Sequence, residues 1–201
     1  MTDTFNLDAQ ADDQQILARV VGYYHAALKQ TPEALEYLRG RGLTNPQVIN
    51  HFRLGYSDRS LGLKLPSKAV VAGKAIRERL QGLGLFRESG HEHFRGSVTV
   101  PIPAADGSNR VVDIYGRKVR DDLRAGTAKH VNLNDRREGV LNVAAFAAVD
   151  EVVLCGSVWD ALTFWSHGFR NVTAMFGQDK LTDDVLAAFR EFNIKRVLTP
   201  C

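Results

Sequence analysis

The last third of the chain restricts its fold most. Glu151 to Cys155 reads as a short apolar strand, Ser157 to His167 as an amphipathic helix, and Asn171 to Ala174 as a strand. Thr182 to Phe192 reads as a second helix and Arg196 to Leu198 as a third strand. Strands that alternate with helices predict a parallel sheet with crossover helices, because parallel neighbours cannot be joined by a tight turn. Sheets of that kind put their chemistry just beyond the strand ends. Gly156 and the residues after Leu198 are therefore the positions where a site is expected.

Upstream the pattern is different. Gln14 to Lys29 places Ile16, Val20, Tyr23, Tyr24, Ala27 and Leu28 on one helical face. Thr31-Pro32 and Asn45-Pro46 each read as a helix cap followed by proline in the first turn. Phe52 to Ser57 is strand-like, and Ser67 predicts a capped helix running to Leu80, ended by Gly82 and Gly84. Ser97 to Ile102, the Asp106-Gly107 turn signal and Arg110 to Tyr115 predict a β-hairpin. Asp121 to Glu138 reads as a long charged loop, and Val143 to Ala148 as a helix capped by Asn142. No repeat or low-complexity tract is present.

Composition removes several function classes. The 201 residues contain two cysteines, Cys155 and Cys201, which excludes a disulfide framework and a four-cysteine zinc site. A reducing, cytoplasmic setting is expected. Residues 1 to 15 lack the basic and apolar regions of an export signal, and no run approaches about 18 uninterrupted apolar residues, so no membrane insertion is expected. A net charge of +3 is too mild for a nucleic-acid arm. His91 and His93 flank Glu92 without a recognised ligand spacing and read as solvated loop residues. Cys155, behind Val152-Val153-Leu154, reads as a buried strand residue and not a nucleophile.

Three stretches carry a family resemblance. The first is Tyr24-His25 with Thr31 to Leu43 and Phe52-Arg53-Leu54-Gly55-Tyr56. The second is His93-Phe94-Arg95-Gly96, Val100-Pro101-Ile102, Asp106-Gly107, Gly116-Arg117 and Lys129-His130-Val131-Asn132. The third is Val152 to Leu162 with Gly168-Phe169 and Asn171-Val172. In this order they resemble the catalytic core of bacterial-type DNA primases, including those of plasmids and other mobile elements. The resemblance implies an α+β primase-core subdomain followed by an incomplete α/β Toprim-like parallel sheet. The expected division is a flexible lead at 1–12, a core subdomain at 13–138 and a truncated Toprim-like part at 139–201.

The family's chemistry is implied to use a glutamate at the end of the first Toprim strand and an Asp-x-Asp pair at a later strand end. Together they hold magnesium, a hard ion that needs converging oxygen ligands. Gly156 stands at the glutamate position, and the paired aspartates would follow Cys201. The expectation is a degenerate site with no catalytic residue, no bound metal and no cofactor. Asp160 reads as a capping partner of Ser157, not as a ligand. A phosphate at the Gly156-Ser157 turn is a weaker alternative to an ordinary tight turn. Trp159 reads as core, or as a protein-binding anchor if exposed.

Arg95, Arg117 and Lys129 fall where the resemblance implies contacts to template strand or nucleotide. The loop around Lys129 is mixed in sign, with Arg120, Arg124, Arg136 and Arg137 interleaved with Asp121, Asp122, Asp135 and Glu138, and Ser97 stands where the family carries an arginine. The three basic residues remain candidates for nucleic-acid or partner binding, with a solvated face as the alternative. The leading expectation is a non-catalytic, primase-derived protein that binds another protein. Its specific form is inhibition of the conjugative transfer of a competing plasmid, with the coupling ATPase as candidate target. The alternatives are a weak single-stranded nucleic-acid-binding remnant and a primase whose metal site is completed by residues beyond this chain.

Overall fold

A computed structural model of the chain describes residue 7, residues 11–175 and residues 181–200. Most of the lead expected at 1–12, and Cys201, lie outside the described residues. In chain order the elements are α1 (Asp13–Gln30), α2 (Pro32–Gly40), α3 (Pro46–His51), β1 (Gly55–Tyr56), α4 (Leu61–Lys64) and α5 (Val71–Gly82). They continue with β2 (Ser97–Pro103), β3 (Val111–Lys118), β4 (His130–Asn132), a 3₁₀ turn (Val143–Ala148), β5 (Glu151–Cys155), α6 (Val158–Ser166), β6 (Val172–Ala174), α7 (Asp183–Glu191) and β7 (Arg196–Leu198).

Contacts gather the chain into two compact units. The first draws on residues 1–37, 53–100 and 115–133, and the second on 38–52, 101–114 and 134–201. In the first unit, α1 opens with a capping box: Gln15 N donates to Asp12 Oδ1 at 2.8 Å and Asp12 N to Gln15 Oε1 at 3.0 Å. Its buried stripe is Ile16, Leu17, Val20, Val21, Tyr24 and Leu28, and it packs on β1. Glu92, only 5% exposed, ties this unit together. Its Oε2 accepts from Tyr24 Oη at 3.2 Å and Ser57 Oγ at 2.6 Å, and its Oε1 accepts from Leu61 N at 2.9 Å.

The second unit is built around the three-stranded sheet in the order β6-β5-β7. Both pairings are parallel, with Val153 opposite Val172 and Val152 opposite Val197. The strand–helix alternation is thus realised as expected. Val140, Val143, Phe146, Val152, Val185, Ala188 and Phe189 form its core. Helix α3 packs on α6, where the His51 ring stacks on Trp165 with centroids 4.6 Å apart.

Four local expectations need correction. Thr31 closes α1, its hydroxyl donating to Ala27 O at 2.8 Å, so it is spent on the helix before it. Asn142 does not cap a helix: it sits at φ 60°, and its side chain donates to Arg170 O and Val172 O and accepts from His51 Nε2. The segment after it is a 3₁₀ helix with no side-chain cap, the short connector form that such helices commonly take. Ser67 Oγ accepts from Ala69 N in a turn, and α5 begins four residues later with no side-chain cap. Finally, the charged stretch from Asp121 to Glu138 contains β4, paired antiparallel to β3 with Gly116 opposite Val131.

Candidate nucleic-acid interface

Strand β3 sorts the basic residues onto two faces, because successive side chains on a strand point opposite ways. On one face lie Tyr115 and Arg117, and on the other Gly116 and Lys118. Arg117 sits across from His130 in the β3–β4 register and contacts its Nε2 through Nη1. Since a guanidinium only donates, Nε2 accepts, and Nδ1 carries the proton toward Tyr115 Oη at 2.6 Å. Arg117 Nε is buried with no partner among the described residues. Lys129, one residue ahead of β4, pairs with Asp121 Oδ1 at 2.9 Å, both groups well exposed. An exposed pair of this kind is worth about 0–1 kcal/mol and opens readily to a phosphate.

The other face of β3 opens on a pocket of about 610 Å³ within the first unit. Its cations are Arg59, Arg95, Lys118, Arg120 and Arg124, and its carboxylates are Glu33, Asp58 and Asp122. Two of the three carboxylates are already engaged. Asp122 is forked by Arg120 through Nε at 2.8 Å and through Nη2, and Asp58 accepts from Ser60 N at 3.0 Å and from its hydroxyl. Among the described residues, Arg59, Arg95 and Arg124 make no ion pair.

Lys118 is 8% exposed, and its Nζ donates to Arg95 O at 2.5 Å. Burial first, and then the guanidinium charges of Arg87, Arg95 and Arg59, pull its ammonium down to about 8. The Phe94-Arg95-Gly96 turn makes this possible, because Gly96 at φ 68° reverses the chain and leaves the Arg95 carbonyl facing the lysine. Arg59 is itself left-handed at φ 72°, a conformation that costs a non-glycine residue about 1–2 kcal/mol.

The expected site residues are therefore only partly brought together. Arg95 lines the pocket, whereas Arg117 and Lys129 do not. The sequence reading missed Lys118 and Arg59, and dismissed Arg120 and Arg124 as part of a mixed loop. A signal for Lys118 existed: it continues the phase of Ile114 and Gly116, which face inward.

In the second unit, the sheet order reverses direction about β5, which makes the ends of β5 and β7 a topological switch point. Gly156 stands there, and a Cβ on it would meet nothing within 4 Å. Ser157 caps α6, accepting from Asp160 N at 3.1 Å and donating to Asp160 Oδ2 at 2.6 Å, so Asp160 is the capping partner its spacing suggested. Trp159 is 6% exposed, with the Arg41 guanidinium 5.4 Å from its ring, so it presents no anchor to a partner. Cys155 is a buried free thiol pushed up to about 11 by burial and then by Asp160, which leaves it unreactive. Among the described residues no three His, Cys, Asp or Glu side chains converge on a metal position. None of the described helices is long and apolar enough to cross a membrane.

Comparison with known proteins follows this geometry. Residues 23–137 match the family described as DNA primase catalytic core, N-terminal domain. The DNA primase of Aquifex aeolicus is 28% identical over 184 residues, covering 86% of this chain and 36% of that protein. The DNA primase of Deinococcus radiodurans is 31% identical over 160 residues, covering 72% of this chain and 26% of that protein. The chain thus spans about a third or less of the length of these curated relatives. Among solved structures, the Aquifex aeolicus primase with its zinc-binding and RNA polymerase domains superposes with a TM-score of 0.73 at 24% identity, covering 96% of this chain and 50% of that one. A primase catalytic domain bound to single-stranded DNA superposes at 0.70 with 21% identity, covering 92% of this chain and 61% of that one. At such identities the superpositions show a common fold.

Proposed function

This chain belongs to the family of the DNA primase catalytic core, N-terminal domain, and from that premise we propose that it is a non-catalytic member that holds single-stranded nucleic acid without polymerising on it. The observation that carries this reading is Gly156. It occupies the strand end where the family resemblance requires a carboxylate, the space around it is open, and the neighbouring Asp160 is committed to capping α6. Among the described residues no group of side chains converges in the way a magnesium ion, which needs several oxygen donors, would require. The binding half is supported by Arg95, Arg117 and Lys129, retained at positions where strand contacts are implied, and by the solved relative bound to single-stranded DNA.

Fluorescence anisotropy with a labelled single-stranded oligonucleotide, paired with a priming assay containing ribonucleotides and magnesium, tests it. Binding that weakens steeply between roughly 50 and 200 mM salt, with no primer made, is the expected result. Primer synthesis would overturn the non-catalytic half and favour a metal site completed by residues beyond this chain. Binding that is absent at low salt would overturn the other half. Gly156→Glu, which the open space accommodates, is expected to restore neither metal binding nor priming.

A second reading draws on Leu63 and Val71, 84% and 88% exposed in α4 and at the start of α5. Contiguous exposed apolar surface marks protein interfaces, and this reading requires these side chains to form such a patch with Val70, 50% exposed. In a plasmid setting that surface would act on a competing conjugation apparatus, with the coupling ATPase as candidate partner. Mating frequencies that do not change when the chain is expressed in donor cells would remove this reading.

A further inference from the structure

We propose that the stretch from Leu63 to Lys74, where α4 leads into α5 in the first unit, is a peripheral docking surface for an anionic lipid bilayer. The inference needs neither the strand-binding reading above nor the state of the metal site, and it competes with a protein partner for the same side chains.

Exposure is the first observation. Ala69, Val70, Val71 and Ala72 are consecutive apolar residues that all face solvent. Leu63, a short way before them, stands as clear of the protein as Val71 does. Folding gains little from side chains left this open to water, and a run of exposed apolar residues is a liability unless it is used.

The surface is also braced. Arg77 donates to the carbonyls of Gly62 at 3.0 Å and Gly73 at 3.1 Å, and to that of Pro66. One guanidinium therefore ties the end of α4, the connecting turn and the first turn of α5 into a single piece. The turn lies so close to α5 that a Cβ on Gly73 would sit 2.1 Å from the Ser67 carbonyl oxygen, which leaves room only for glycine. Ala69 N donates to Ser67 Oγ at 3.2 Å and Val70 N to Ser67 O at 3.1 Å, which fixes the path of the apolar run.

Charge selects the occupant. From Leu61 to Arg77 the chain carries Lys64, Lys68, Lys74 and Arg77 and no acidic residue. All three lysines are exposed. Lys74 meets Glu78 at 3.8 Å with both groups open to water, and Lys64 and Lys68 make no ion pair among the described residues. Protein interfaces concentrate aromatic residues and arginine and are poor in lysine. This stretch has no aromatic residue, its arginine is spent inward on three carbonyls, and lysines flank its aliphatic side chains. An anionic bilayer suits that make-up. The aliphatic side chains enter the headgroup region, the lysine stems lie along it, and their ammonium groups meet lipid phosphates.

The test is co-sedimentation of the full chain with vesicles of phosphatidylcholine alone and of an equal mixture of phosphatidylcholine and phosphatidylglycerol. Binding to the mixed vesicles and not to the neutral ones is expected, weakened by salt. It should fall at least tenfold when Val70→Ser and Val71→Ser are combined, and likewise when Lys64→Glu and Lys68→Glu are combined. Both pairs lie on the surface, so the variants should unfold at the parent's urea midpoint. In Val71→Trp, the new indole should shift its emission to the blue on the mixed vesicles. Equal binding to both compositions, binding that the serine pair leaves intact, or an unmoved Trp emission overturns the proposal. No binding to either composition also overturns it and leaves the patch to a protein partner. Absence of oligonucleotide binding in the parent would refute only the strand-binding reading of the preceding subsection.

Discussion

Replacing Lys118 with methionine should stabilise the protein. The ammonium is held at about 8 against an ordinary 10.5. At about 1.4 kcal/mol per pH unit, the charged lysine costs the folded state about 3 kcal/mol at pH 7. Methionine fills the same buried volume without that charge, but it forfeits the hydrogen bond to the Arg95 carbonyl, which is worth about 1 kcal/mol. The net expectation is a gain of about 2 kcal/mol, or roughly 4–8 °C in Tm for a chain of this size. The sign with pH follows from linkage. A lysine with a depressed folded value contributes its full stability above 10.5 and loses it as pH falls through 8, so the advantage of methionine is greatest at neutral pH. By pH 10 it should have shrunk to below about 1 kcal/mol before the lost hydrogen bond is counted. Urea unfolding of parent and variant at pH 7 and pH 10 measures both points. A variant less stable than the parent at pH 7, or a gain of equal size at both values, would refute the argument that the pocket holds a costly charge.

Three further perturbations probe the first unit. Gly116→Ala would bring a Cβ within 2.6 Å of the Phe94 ring and 2.8 Å of Val131 Cγ2, and should cost about 1–3 kcal/mol in chemical denaturation, since Phe94 is fully buried and has no room to yield. Ser97→Ala removes a buried hydroxyl that has no partner among the described residues and should raise stability by about 1 kcal/mol, read as a shift in urea midpoint at constant slope. Glu92→Gln sets an amide N–H against donors and should cost about 1–3 kcal/mol. It should also flatten part of the pH profile. Burial raises the Glu92 carboxyl above its ordinary 4.5, so its contribution is present below 4.5 and is lost as pH rises through the raised value, a slope the glutamine variant lacks in a Tm series.

How far the sequence could be read depended on whether local pattern or distant partners decided each element. The sheet β6-β5-β7 was legible because Val152-Val153-Leu154 and the helix that Ser157 caps carry their periodicity within a few residues. Strand β4 was not, since His130-Val131-Asn132 has no alternation of its own and exists through pairing with β3. Asn142 misled for a similar reason: asparagine before an apolar run is a good cap, but its side chain is claimed by carbonyls near residues 170–172. At the candidate sites, Gly156 and Asp160 could be read locally because a strand end and a cap are local matters. The pocket could not, because Arg59, Arg95 and Lys118 are dozens of residues apart and meet through the fold.

The interleaving of the two units has a consequence for the nascent chain. Helix α3 belongs with α6, yet more than a hundred residues separate them in sequence. At about 5–20 residues per second, the apolar side chains of α3 and the following turn wait several seconds on the ribosome before the Trp165 surface against which they stack is made. The N-terminal part therefore cannot complete folding first. Val48 and Phe52 are the side chains a holding chaperone would meet during synthesis, although both are buried in the finished protein.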